Sequence, residues 1–169
     1  MVRTNKISAG LLMFRFEKGK LEVLLAHPGG PFFRNKHDGH WSIPKGEPDE
    51  SENNLLETAK REFNEETGIE PKAPEYIPLG TILQKGGKTV HAWAFEGTIE
   101  PGFQPKSNTF KTEWPPKSGK QMLFSEIDRI DFFSIIEAKK KIKSTQIDFI
   151  ERLKKYLEEK HINLQVKSP

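Results

Sequence analysis

Glu62, Glu65 and Glu66 fall within REFNEETGI, residues 61–69, a spacing that lays the carboxylates along one side of a helix. At about 100° per residue, Leu55, Leu56, Ala59 and Phe63 form an apolar arc that must pack on something. Glu66 lies at the edge of that arc, Glu62 beside it and Glu65 a little further round, with Arg61 next to Glu65 on the far side. Carboxylates roughly 6 Å apart at a partly buried border repel by about 3 kcal/mol per pair at an effective dielectric of ~20. Arg61 offsets only part of that. The ordinary reading of an arbitrary ExxEE is a solvated acidic edge. Here the partial desolvation expected for Glu66, and a polar Gly/Pro loop just before the helix, favour a hard divalent cation such as Mg²⁺, with Mn²⁺ as the alternative. Such an ion accepts carboxylate oxygens and retains waters for a phosphate ligand. The chemistry is then in-line attack on phosphorus by a metal-activated water, with a free glutamate to take the water's proton.

The flanking sequence supplies a scaffold for that helix. ISAGLLMFRFE and LEVLLAH read as two strands joined by a short Gly-containing turn. Residues 28–40 are a Gly- and Pro-rich loop, WSIP a short strand, and KGEPDESEN a second polar loop. The helix runs from about Asn54 to Thr67, with Gly68 placed to stop it. YIPLGTILQ and TVHAWAFEGTI read as antiparallel neighbours across KGGK, and residues 101–120 as a long irregular loop. SIIEAKKKI and STQIDFIERLKKYLEEK read as two helices, each opened by a Ser or Thr cap. Interleaved strands and helices with hairpins among them predict an α/β fold, a mixed sheet covered by helices.

The totals narrow the field. A chain of 169 residues is large enough for one domain with a real core. It carries no cysteine, which removes disulfides, thiolate metal sites and cysteine nucleophiles, so any metal is held by oxygen or histidine nitrogen. A net charge of +3 is too small to imply nucleic acid by itself. The lysines of EAKKKIKS and ERLKKYLEEK read first as a solvated helix face and only second as an RNA or membrane surface. No apolar run approaches a bilayer span, and MVRTNKISAG lacks the apolar core of a secretory signal, so the expectation is a cytoplasmic protein without membrane contact.

The stretch GEPDESENNLLETAKREFNEETGI, residues 46–69, resembles the Nudix box, GX5EX7REUXEEXGU with U a large apolar residue. Arg61, Glu62, Phe63, Glu65, Glu66, Gly68 and Ile69 match its second half without a gap. Gly46 and Glu52 match the first half with a slip, since eight residues rather than seven separate Glu52 from Arg61. The resemblance continues in ISAGLLMFR, WSIPKGE and EIDRIDFFSIIEA. It implies a single Nudix hydrolase domain over residues 1–169, an α/β/α sandwich around a mixed sheet with C-terminal helices. It also implies metal ligation by Glu52, Glu62, Glu65, Glu66 and the carbonyl of Lys45, and catalytic roles for Arg61, Glu62 and Glu65. The general base is open among Glu62, Glu113 and Glu126. PKGE is similar to diadenosine-polyphosphate hydrolases and diphosphoinositol phosphohydrolases, and the wider pattern to a MutT-like group described as predicted NTP pyrophosphohydrolases.

Lys45, on a tight Pro-Lys-Gly loop, is the first candidate to hold a substrate phosphate. His91 shares a strand face with Trp93 and is a second binding candidate, or else a core-edge residue. Arg61 is placed to orient Glu65 four residues along the helix. Tyr76, Phe32, Phe33 and Trp114 could stack on a base, though loop aromatics more often anchor their loop. Arg34, Lys36 and His37 form a basic loop whose ordinary reading is solvated. The leading function is Mg²⁺-dependent cleavage of a pyrophosphate linkage in a nucleoside diphosphate derivative, with dinucleoside polyphosphates or nucleoside triphosphates favoured. The alternatives are removal of 5′ pyrophosphate from RNA and a nucleotide-sensing module without catalysis. Oligomeric state is open.

Overall fold

The computed structural model describes residues 6–167, with side chains to residue 161. Strands β1 (Ile7–Glu17) and β2 (Lys20–Pro28) form the expected hairpin through Lys18 and Gly19. A short strand, β3 (Lys45–Gly46), leads to helix α1 (Leu55–Thr67). Strands β4 (Ile77–Leu83) and β5 (Thr89–Glu96) follow as an antiparallel pair. Strands β6 (Thr109–Glu113), β7 (Gln121–Ser125) and β8 (Ile127–Ser134) precede α2 (Ile135–Lys141) and α3 (Ile147–Lys167).

The main sheet has six strands in the order β4-β5-β1-β2-β8, with β3 paired to β1. It is mixed because β1 runs parallel to β5 while its other pairings are antiparallel. As the central strand, β1 is buried on both faces, which is why its sequence is almost continuously apolar. Ala9, Leu11 and Met13 face one side, where Ala59 and Phe63 of α1 pack with Leu24 and Phe95. Leu12 and Phe14 face the other, with Phe149, Ile150 and Leu153 of α3 and Ala138 of α2. The result is the α/β/α sandwich with its C-terminal helix.

Local chemistry sets the ends of α1. The Asn54 side chain accepts from Leu56 N and starts the helix. Gly68 stops it with φ 82°, a conformation that a Cβ would disfavour. Phe63 is fully buried, its ring edge-on to Phe95 at 5.2 Å. Burial of that ring contributes about 2–3 kcal/mol to fixing the helix, and with it the acidic edge, against the sheet.

The structure corrects the sequence reading in three places. Within 101–120, β6 forms, and it pairs with β7 in a separate hairpin. Cross-strand partners beyond the loop, which periodicity cannot show, supply its backbone bonds. In WSIP, Trp41 and Ser42 make only isolated bridges, to Ile142 and Ala26, and the paired strand starts at Lys45. At the second C-terminal helix, Ser144 lies inside a 3₁₀ turn, Ser144–Gln146, that has no side-chain cap. Ser134 does cap α2, accepting from Glu137 N. Among the described residues no helix is long and apolar enough to cross a membrane.

Candidate active site

Strand β3 brings the box approach onto the acidic edge of α1. It pairs Lys45 with Gly10 and Gly46 with Ala9. The Lys45 backbone N–H then donates to Glu66 Oε2 at 3.2 Å. Gly46 is required by close approach, since a Cβ there would sit 2.1 Å from the carboxyl carbon of Glu62. Glu62 and Glu66 are thus held against the Lys45–Gly46 backbone from one side.

From the other side Arg61 holds Glu62, together with Glu65 and Glu52. Its Nη1 donates to Glu62 Oε1 at 2.8 Å and to Glu65 Oε2 at 2.9 Å. Its Nε and Nη2 donate to the two oxygens of Glu52, each at 2.9 Å, and Nη2 also to the Glu47 carbonyl at 3.0 Å. The expected Arg61 to Glu65 bond is therefore present, as one arm of a larger fork. Glu52 Oε1 further accepts from the Asp49 N–H and the Thr58 hydroxyl, while Oε2 has the Arg61 Nε bond. With eight residues between them, Glu52 still reaches Arg61.

The electrostatics differ across the site. Hydrogen bonds from Arg61 hold the Glu52 carboxyl down at about 2. Burial, then the Glu62 charge, pushes Glu66 up to about 8, against the pull of the Lys45 N–H. Burial also raises Glu62, in spite of Arg61. The Lys45 ammonium is pushed down to about 8 by burial first, then by the charges of Lys143 and Lys88. Two carboxyls resisting ionisation beside an amine resisting protonation mark a charge arrangement completed by something else.

The donors fit a hard cation. They are all carboxylate oxygens, and Arg61 takes one oxygen each of Glu62 and Glu65, leaving Glu62 Oε2 and Glu65 Oε1 without a hydrogen bond among the described residues. Glu66 has an amide N–H as its partner and no cation paired to its carboxylate among those residues. Among the described residues no three acidic or histidine side chains already surround one point.

Other predicted residues are dispersed or drawn in as follows. Glu126 lies near enough for its charge to raise both Glu62 and Glu66. Glu113 pairs with Gln121 at the far end of the β6–β7 hairpin, about 13 Å along the strand from Thr109, which is paired beside Glu126. His91 is half-buried on the α1 face of β5, opposite Ala9, whose other neighbour is Gly46. That puts it two strand spacings, roughly 10 Å, from the box glycine. Tyr76 donates to the Pro71 carbonyl and packs on Phe95, as a loop anchor does. Phe32 and Trp114 meet edge-on at 5.7 Å where the 28–40 loop touches the β6–β7 hairpin. His37 stacks on buried His27, while Arg34 and Lys36 are exposed.

Sequence reasoning missed Lys143 and Gln146. Lys143 lines a cavity of about 140 Å³ together with Lys45 and Glu66. Its neighbours in the lysine run are paired: Lys139 with Glu151, Lys140 with Glu137 and Lys141 with Asp38. The overlooked signal was Ile142, fully buried and in extended conformation, which ends the helix and sends Lys143 in another direction.

Residues 4–153 match the NUDIX domain. The chain belongs to the NUDIX family. NUDIX domains are usually pyrophosphohydrolases and generally depend on a divalent metal. An asymmetrical bis(5'-nucleosyl)-tetraphosphatase of Mus musculus is 35% identical over 102 residues, 53% of this chain and 63% of that protein. The chain thus spans less than two thirds of the length of that curated relative. Among solved structures, the NUDIX domain of Shewanella oneidensis NrtR complexed with ADP ribose superposes with a TM-score of 0.63 at 15% identity, covering 92% of this chain and 90% of that one. A C. elegans Ap4A hydrolase binary complex gives 0.62 at 21% identity, covering 89% and 97%. At these identities the likeness is one of fold.

Proposed function

We propose that this NUDIX protein is a Mg²⁺-dependent hydrolase that cleaves a pyrophosphate linkage in a nucleoside diphosphate derivative, with dinucleoside polyphosphates or nucleoside triphosphates as the favoured substrates. The observation that carries this reading is the pairing of Glu66 with the Lys45 N–H in a cavity that the Lys45 and Lys143 side chains also line. Carboxylates for a metal and ammonium groups for phosphate meet there at one short segment. The mouse relative's activity on dinucleoside tetraphosphates supports the substrate class.

Glu62, Glu65 and Glu66 would hold the cation, with the Lys45 carbonyl as a further ligand; Glu52, saturated by Arg61, Asp49 and Thr58, acts as a positioning residue. When bound, the ion neutralises phosphate oxygens and lowers the pKa of an attacking water. Arg61 fixes the directions of Glu62 and Glu65. The Lys45 ammonium holds a phosphate oxygen of the substrate. The water's proton passes to Glu62 or Glu126, the two candidates that lie together, as the P–O–P bond breaks and the leaving phosphate departs. His91 sits on the same sheet face, suited to a more distant part of the substrate.

The test is to incubate the purified protein with Mg²⁺ and a panel of nucleoside triphosphates, dinucleoside polyphosphates and ADP-ribose in ¹⁸O-water. Cleavage of one P–O–P bond with label on a single product phosphate is expected. Absence of turnover on the whole panel with either Mg²⁺ or Mn²⁺ would discard the assignment. In that panel, Glu126→Gln tests the base: a large loss of kcat assigns it to Glu126, and an unchanged kcat leaves Glu62.

A further inference from the structure

Lys45 and Lys143 come from segments nearly a hundred positions apart, yet they are held together by a built framework. The Lys143 N–H donates to the Trp41 carbonyl at 2.8 Å, and Trp41 N–H donates to Lys141 O at 3.0 Å. Three residues on, fully buried Gln146 accepts from Ile43 N at 3.0 Å and donates to Ser42 Oγ at 3.0 Å and Gln84 Oε1 at 2.9 Å. The segments 41–43 and 141–146 are therefore cross-linked on both sides of Lys143, and Lys45 follows two residues after the last link. A buried amide whose donors and acceptor are all engaged is costly to disturb, so the backbone positions from which the two lysines extend are set in advance.

Neither lysine has a carboxylate partner within salt-bridge distance among the described residues, whereas Lys139, Lys140 and Lys141 each do. Both open into the cavity of about 140 Å³ that Glu66, His40 and Ser42 also line. That volume is well below the ~300 Å³ at which sites for drug-sized molecules begin, and two lysines lining it suit phosphate groups better than a nucleoside. Lys143 also lines the neighbouring cavity of about 270 Å³, with Gln84, Lys85, Ser144 and Thr145. Lys143 thus lines both cavities, with Lys45 and Glu66 in the first and Lys85 in the second.

We propose that Lys143, with Lys45, forms a subsite for the oligophosphate chain beyond the cleaved linkage, so that the protein selects long oligophosphates over diphosphates. This rests on the pyrophosphohydrolase reading above. The experiment compares kcat/KM for dinucleoside di-, tri-, tetra- and pentaphosphates in the wild type, Lys143→Ala, Lys143→Arg and, as a paired-lysine control, Lys140→Ala. The ratio of tetraphosphate to diphosphate kcat/KM should fall roughly 10- to 100-fold in Lys143→Ala, the scale of one lost charge-assisted bond. The fall should be mainly in KM, with partial recovery in Lys143→Arg and none of it in Lys140→Ala. An unchanged ratio overturns the subsite. Calorimetric titration with inorganic tripolyphosphate, without metal, reads the same subsite with no turnover. Binding at least tenfold weaker in Lys143→Ala supports it, and equal binding overturns it even if no nucleotide is cleaved and the hydrolase reading itself has failed.

Discussion

Glu52 and Glu66 flank the same helix edge and meet opposite fates. Glu52 has a bidentate guanidinium, an amide N–H and a hydroxyl, and its carboxyl is held down at about 2. Glu66 has one amide N–H, lies partly buried beside another carboxylate, and is pushed up to about 8. A fold can make either arrangement, so the contrast carries information. The Glu52 end is finished by the chain itself and serves as scaffold. At the Glu66 end, local consistency is given up, and such violations concentrate where a ligand completes the structure.

The contrast breaks most visibly in turnover. Glu66→Gln keeps the shape and removes the charge, so kcat with Mg²⁺ on a cleaved nucleotide should drop by on the order of 10²–10⁴-fold, with far-UV circular dichroism unchanged. Retention of full activity would return Glu66 to an acid that is merely buried. Glu65→Gln should behave similarly, and two fully active variants would remove the metal assignment altogether.

Gly46→Ala tests the contact between strand and helix. The added methyl would collide with the Glu62 carboxyl, the flexible end of a side chain, so Glu62 rather than the backbone should yield. Activity should then fall about 10–100-fold, as when the support of a metal ligand is disturbed, while stability changes by less than about 1 kcal/mol. A large drop in melting temperature with proportionate activity loss would show that Gly46 serves the β1–β3 pairing instead.

On the finished side, Glu52→Gln should cost about tenfold in kcat/KM, because Arg61 loses the partner that fixes its fork. The ion pair itself is part-buried, with the Arg61 and Glu52 side chains 28% and 13% exposed, and solvent at its edge keeps its contribution to stability at about 1 kcal/mol. A Glu52→Gln enzyme as impaired as Glu66→Gln would mean that Glu52 ligates the metal after all.

How much of this was legible in the sequence follows from the range of each interaction. The helix Asn54–Thr67, its Gly68 stop, the first hairpin and the β4–β5 pair are encoded by local periodicity and turn residues, and they appear as read. The acidic edge was legible because helical spacing alone fixes it. The β6–β7 hairpin was not, since a loop-like composition conceals strands whose partners lie beyond it. Gln146 and Lys143 were invisible for the same reason: their meaning lies in contacts with residues 41–45, about a hundred positions away. The Arg61 fork was half legible, its i,i+4 bond to Glu65 following from the helix and its grip on Glu52 depending on a loop path.

The smallest effect distinguishes the two carboxylates by sign. In the metal-free protein Glu66 has a folded pKa raised from 4.5 to about 8. Its contribution to stability is therefore fully present below about 4.5 and is lost as pH rises toward about 8, where the buried group must ionise. Lys45, lowered to about 8, is charged over most of that window and titrates together with Glu66 only at its upper end. Glu52 runs the other way: its stabilisation is complete above 4.5 and fades as pH falls toward about 2. Melting curves of wild type against Glu66→Gln should thus converge near pH 4 and separate by pH 8. The gap at pH 8 should be on the order of 2 kcal/mol in favour of the variant, a few degrees in a chain this long. Mg²⁺ should close most of it by stabilising only the wild type. A gap that is independent of pH would attribute the difference to packing and not to the buried charge, and the contrast between the two ends would lose its electrostatic basis.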